Sequence, residues 1–300
     1  MISGFGIPAL PEEATTAHLG VLDVLCRSPP RPSGRQLDWA QHLAVLATRP
    51  REWREFDRTR LAGEAYHRGV AVSYELDREL GIFELRDGFL EHTRRAWALL
   101  PPFDSVPPRI LDIGCGTGTP SLELARLGGG DVVGIDIDEA ALAVLRERAG
   151  DVGLGDRVTT WRVSLEENGL PDAAFDVLWE EGVLHMLDVD RSLSECRRLL
   201  KPGCHLVMHE TTLWLDGIRE RLADHGFAVR ATHPLPRHFW LTHWADPLDA
   251  RLRAFERSHD LNALNETTAS ALATHRAAVA AIRADPDATR CAYWVVARAE

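Results

Sequence analysis

Cysteine is scarce and scattered. The chain has five among 300 residues (Cys26, Cys115, Cys196, Cys204, Cys291). An odd number without a C-x-x-C pair excludes a disulfide framework or a cysteine zinc site and leaves reduced, intracellular thiols. No apolar run approaches the roughly 20 residues that span a bilayer. The first 25 residues hold Pro8, Pro11, Glu12 and Glu13 instead of a basic start and an apolar stretch, so no secretory signal is expected. Positive charge is in deficit, with 34 Lys+Arg against 45 Asp+Glu and a net charge of −11, which removes the general electrostatic reason to bind nucleic acid. No internal repeat or low-complexity tract stands out. None of the 13 histidines combines with cysteines or acids at a metal-ligand spacing, so no metal is expected. What is present is an ordinary globular composition, 45% apolar and 26% charged, long enough for one or two domains. The expectation is a cytoplasmic protein with neither a nucleic-acid nor a membrane partner.

Two proline clusters divide the first third. Ser28 to Gly34 is a loop, and Pro101-Pro102 with Pro107-Pro108 brackets a second break. Around them the apolar spacing is helical: Leu19, Leu22, Val24 and Leu25, then Leu37 to Leu46, then Phe89 to Leu100. From Arg109 the pattern alternates strand, turn and helix. Strands are expected at Arg109–Ile113, Val132–Ile135, Val158–Val163, Phe175–Trp179, His205–Met208, Phe227–Thr232 and Cys291–Ala297. Helices are expected after Thr119, read as an N-cap with Pro120 in the first turn, from Asp138 to about Arg148, and from Asp190 to Leu200, followed by a Lys201-Pro202-Gly203 turn. Ala269 to Ala284 also reads as a helix. This is an α/β chain: a Rossmann-like, doubly wound, parallel sheet of about seven strands behind an N-terminal helical extension. The expected division is a helical extension or lid at 1–105 and a ligand-binding domain at 106–300, with an insertion at about 234–288. Trp161 and Trp179, in strands, are expected in the core.

The most informative stretch is Leu111-Asp112-Ile113-Gly114-Cys115-Gly116-Thr117-Gly118. Alternating glycines after a strand let the backbone approach a ligand and adopt positive φ. A dinucleotide fingerprint needs a further glycine where Thr119 stands. Asp136 ends the second strand, 24 residues after Asp112, where a carboxylate can accept hydrogen bonds from ribose hydroxyls. Together these point to a nucleoside cofactor at the switch point of the sheet.

At these residues the chain resembles the class I S-adenosylmethionine-dependent methyltransferases. Leu111 to Gly118 matches their first motif and Asp136 their ribose acid. The likeness runs from about Gly81 to Leu248 and is nearest to a bacterial and archaeal subgroup of small-molecule methyltransferase-like proteins. Its marks are Trp179-Glu180-Glu181-Gly182 after strand four, the Arg198 to Gly203 turn, and the aromatic-rich Trp240 to Leu248, where Leu241, Trp244 and Ala245 depart from the pattern. Residues 1–65 resemble nothing identified.

The resemblance implies S-adenosylmethionine as cofactor, S-adenosylhomocysteine as product, and transfer by in-line displacement to a small organic acceptor such as a secondary metabolite. It implies that Gly114, Cys115, Gly116 and Gly118 contact the methionine part, while Asp112 orients the turn and the ammonium. Ile137 is expected against the adenine, Ser164 and Leu165 at its edge, and Glu180 beside the cofactor. Adjacent strand residues point to opposite faces, and the match makes Glu181 the inward, acceptor-orienting or proton-accepting carboxylate, with His185 one helical turn on as its catalytic companion. A structural carboxylate and a packed histidine are the alternatives. Glu210, ending strand five with His209, and Trp240, His243 and Trp244, as an aromatic lid, are expected at the acceptor. Core packing is the alternative for the aromatics. Tyr66 and Tyr74 are expected to face the acceptor as well. An Asn/Asp-Pro-Pro-Tyr/Phe motif is missing after strand four, which argues against adenine-N6 methylation. Two other classes stay open: a non-methylating cyclase or decarboxylase on this fold, and a non-catalytic scaffold. Monomer and homodimer are both compatible.

Overall fold

The computed structural model describes residues 72–103 and 107–299. The expected helices before residue 72, Tyr66, and the lid role of residues 1–71 lie outside them. Seven strands form a sheet in the order β3-β2-β1-β4-β5-β7-β6. Their ranges are β1 Ile110–Ile113, β2 Val132–Asp136, β3 Val158–Arg162, β4 Phe175–Glu181, β5 Leu200–Thr211, β6 Phe227–Pro234 and β7 Cys291–Arg298. All seven expected strands are present. The first five run parallel, and β7 is antiparallel between β5 and β6, so the sheet is mixed and not parallel throughout. β1 and β2 are buried throughout and β4 up to its last residue because helices cover both faces.

Three short helices precede the sheet: α1 Tyr74–Glu79, α2 Ile82–Asp87 and α3 Leu90–Trp97. Within the sheet region come α4 Thr119–Gly128, α5 Glu139–Asp151 and α6 Val189–Leu199. α7 Thr212–Gly217 and α8 Arg219–Asp224 join β5 to β6. Between β6 and β7 lie a π-turn at Leu241–Ala245, α9 Asp246–Ser258 and α10 Glu266–Ala284.

Local signals err by small steps. Gly118, at φ 84°, is the N-cap of α4, and Thr119 is its first residue. Asp188, not Asp190, caps α6, its side chain accepting from Arg191 N. The Lys201-Pro202-Gly203 turn is absorbed into β5 as an irregularity, where the register with β4 shifts between Phe175 and Val177. Trp179 is in the core, but Trp161 is 46% exposed, because β3 is an edge strand with an exposed second half. Each face of the sheet has its own apolar core. One contains Trp179, Trp240, Trp244 and Tyr293; the other contains Leu111, Leu178, Met208 and Trp294.

Candidate functional site

The glycine turn is stitched to β2. Gly114 N donates to Ile135 O at 2.8 Å and Gly116 N to the Asp136 carboxylate at 2.8 Å. The three glycines are needed for different reasons. A Cβ on Gly114 (φ 65°) would sit 2.2 Å from a Val183 methyl, and one on Gly118 (φ 84°) would sit 2.0 Å from a Leu145 methyl. A Cβ on Gly116 (φ 51°) would meet nothing within 4 Å. Packing forbids a side chain at the outer two positions; at Gly116 the open space belongs to a cleft.

That cleft holds about 790 Å³ of space unoccupied by atoms, part of it open to solvent. It lies at the carboxyl ends of β1, β2 and β4, the switch-point position for ligands in open α/β sheets. Asp112, Gly114, Cys115, Gly116, Gly118, Asp136, Glu181 and Tyr74 all line it. These expected residues are therefore brought together.

The wall opposite the turn was not anticipated. Ile82, Phe83 and Arg86 of α2 line it, with Val72 ahead of α1. Their i, i+3 and i, i+4 spacing puts Ile82, Phe83 and Arg86 on one helix face, a signal present in the sequence. Arg148 holds this wall to the turn: its guanidinium donates to Thr117 O at 2.6 Å and lies 4.9 Å from the Phe83 ring centre.

Acid dominates the cleft. Asp112 accepts from Ser121 Oγ and is pushed up to about 8 by burial. Asp136 accepts from Gly116 N and Asp138 N, yet burial pushes it up to about 7. Glu181 is raised by burial against the opposing pull of its donors and Arg86. Those donors converge on one oxygen: Trp179 Nε1 at 3.0 Å, Tyr293 OH at 2.9 Å and Thr93 Oγ1 at 3.3 Å all reach Oε1. Oε2 makes no hydrogen bond among the described residues. Tyr74 OH donates to Asp138 at 2.7 Å and is raised by burial and then by that charge.

Several expected site residues lie elsewhere. His185 does not accompany Glu181: its Nδ1 is 2.8 Å from Glu210 on the other face of the sheet, and burial lowers it to about 3. Glu210 is 1% exposed in that pair. Glu180 is fully buried and accepts from Val183 N and Leu184 N, closing the turn after β4. Neither Glu180 nor Glu210 lines the cleft. Trp240 and Trp244 have no exposed surface and pack with Phe89, ring centres 4.6 and 6.3 Å away; they are core and not a lid. His243 is exposed, stacked on Phe239 at 4.1 Å. Ile137, Ser164 and Leu165 fall outside the lining; Ser164 caps a short turn and Leu165 is buried in the opposite core. Among the described residues no group of three His, Cys, Asp or Glu is arranged for a metal, and no helix is long and apolar enough to cross a membrane.

Residues 111–208 match the family model described as a methyltransferase domain. The chain is 33% identical over 131 residues to the methyltransferase GfsG of Streptomyces halstedii, 43% of this chain and 47% of that protein. It is 33% identical over 136 residues to the 27-O-demethylrifamycin SV methyltransferase of Amycolatopsis mediterranei, 43% of this chain and 50% of that protein. The chain thus spans about half the length of the curated relatives it matches. Among solved structures, the [4+2]-cyclase SpnF shares the fold with a TM-score of 0.57 at 23% identity, covering 69% of this chain and 80% of that one. A putative sarcosine dimethylglycine methyltransferase from Galdieria sulphuraria does so with a TM-score of 0.54 at 19% identity, covering 71% and 84%. Residues 111–208 thus match a methyltransferase domain, and the seven-stranded sheet with the glycine turn at its switch point has the fold that these solved structures share.

Proposed function

We propose that this chain transfers a methyl group from S-adenosylmethionine to a small organic acceptor, with Glu181 as the carboxylate facing that acceptor. The observation that carries the reading is the open space over Gly116 within a cleft lined by Asp112, Asp136 and Glu181. A ligand with a sulfonium and an ammonium complements three carboxylates, and its own carboxylate complements the Arg86 guanidinium. Gly116 lets the backbone approach the methionine part. Asp136, a cleft-lining carboxylate at the end of β2, holds the ribose hydroxyls. Asp112, fixed by Ser121, orients the ammonium.

When bound, the sulfonium supplies an electrophilic methyl carbon. Glu181 Oε2 would take the acceptor's proton, while the cofactor, held by Gly116, Asp112 and Asp136, would supply its methyl to the acceptor's lone pair and leave as the neutral thioether. Phe83, Ile82 and Val72 exclude water and hold the acceptor in line. The thiols Cys115, Cys196, Cys204 and Cys291 suit a reducing, cytoplasmic setting.

Calorimetry with S-adenosylmethionine and S-adenosylhomocysteine tests the cofactor. One-site binding by the wild type is expected. Asp136→Ala should weaken it about 10–100-fold through the lost charged hydrogen bonds, and Gly116→Val should abolish it by filling the space over the turn. A folded wild type that binds neither ligand would sink the proposal. Labelled-methyl transfer to a panel of phenolic and aliphatic hydroxyl compounds, with S-adenosylhomocysteine formed in equal amount, tests the reaction.

A further inference from the structure

Strand register places Glu181 of β4 opposite His209 of β5, His209 opposite Tyr293 of β7, and Tyr293 opposite His233 of β6. One row of side chains therefore crosses four strands, from the cleft to the edge of the sheet. The rings along it are stacked: His209 lies 4.3 Å from Tyr293 at 12°, and Tyr293 lies 6.3 Å from His233 at 26°. His92 of α3 closes the row, 5.1 Å from His233 and hydrogen bonded to it ring to ring at 2.9 Å. Tyr293 has no exposed surface and does not line the cleft. Its ring is held from both sides, so its hydroxyl has one direction to point, toward Glu181 Oε1 and Thr93 Oγ1.

Resting on the reading of Glu181 as the acceptor-facing carboxylate, we propose that Tyr293 is its positioning residue. The tyrosine hydroxyl, with Thr93 and Trp179, pins one carboxyl oxygen and keeps the other turned to the cleft. Three donors on a single oxygen fix the carboxyl plane, a constraint that one donor does not impose. They also favour the ionised form against the burial that disfavours it. The titratable and charged groups facing Glu181 are Arg86 from α2, Asp112 from β1, His209 from β5 and Tyr293 from β7, and Glu180, its neighbour in β4, acts on it from the other face. His209 and His92 are pushed down to about 3 and about 4 by burial, and His233 is lowered too. The three histidines of the row are therefore neutral near pH 7.

The test uses the full chain labelled with ¹³C at glutamate carboxyls, the Glu181 resonance being the one missing from Glu181→Gln. Its NMR titration is followed in the wild type, Tyr293→Phe and Thr93→Val. Tyr293→Phe keeps the stacked ring, so the fold should persist, and the Glu181 titration should move up by about one pH unit on loss of a hydrogen bond to the charged form. Thr93→Val, which loses a longer bond, should move it up by less. An unshifted titration in folded Tyr293→Phe overturns the proposal; should that variant not fold, an unshifted Thr93→Val overturns it instead. Failure of the underlying reading looks different: Glu181→Gln would then transfer methyl at the wild-type rate, whatever the titrations show.

Discussion

Glu180 and Glu181 are neighbours with the same side chain and opposite situations. Glu181 emerges on the cleft face and lines the cleft, one oxygen held by three donors. Glu180 emerges on the far face, where it accepts two backbone N–H groups beside the buried pair of Glu210 and His185. Burial raises both carboxyls, and the Glu210 charge raises Glu180 further. The lesson is that a raised carboxyl alone does not mark a reactive one. What separates the two is access: Glu180 closes the turn after β4 through one oxygen and is fully buried, whereas Glu181 lines the cleft.

The contrast can be broken by experiment. Glu181→Gln should lower methyl transfer about 10²–10⁴-fold, the range of general acid–base contributions, while Glu180→Gln, whose amide oxygen can still accept the same N–H groups, should stay within a few-fold. Equal losses in steady-state assays of the two variants would erase the distinction. Glu180→Ala orphans the buried N–H groups of Val183 and Leu184 and should cost about 2–5 kcal/mol of stability in denaturant unfolding.

The pH dependence of stability is a finer probe. Glu180, Glu210, Asp112 and Asp136 are all held above their ordinary values, the last two at about 8 and about 7. A carboxyl whose folded pKa exceeds its unfolded one stabilises the fold at low pH and loses that contribution as pH rises through the folded value. Cofactor-free protein should therefore lose up to about 1.4 kcal/mol per pH unit for each such group between its unfolded and folded values, up to about pH 7 for Asp136 and about pH 8 for Asp112, read as a falling melting temperature. Glu180→Gln should flatten the fall. The smallest effect belongs to His243→Ala on the exposed insertion, expected within about 0.5 kcal/mol of wild-type stability and without effect on cofactor affinity by calorimetry.

Much of this molecule was written locally in its sequence. The seven strands, the glycine turn, and Asp112 and Asp136 at strand ends follow from apolar runs, turn glycines and short spacings, all signals carried within about ten residues of chain. Strand alternation likewise dictated that Glu180 and Glu181 point apart. Tertiary structure decided the rest, because it depends on partners distant in the chain. Register with β5 and β7 delivered Tyr293 to Glu181, 112 positions away. Packing against Phe89 of the early helices turned Trp240 and Trp244 from an expected lid into core. Glu210 drew His185 to the opposite face. The docking of α2, braced by Arg148, made Phe83 and Arg86 a wall of the cleft. Backbone geometry is set by neighbours along the chain, whereas the environment of a side chain is set by whatever the fold brings beside it.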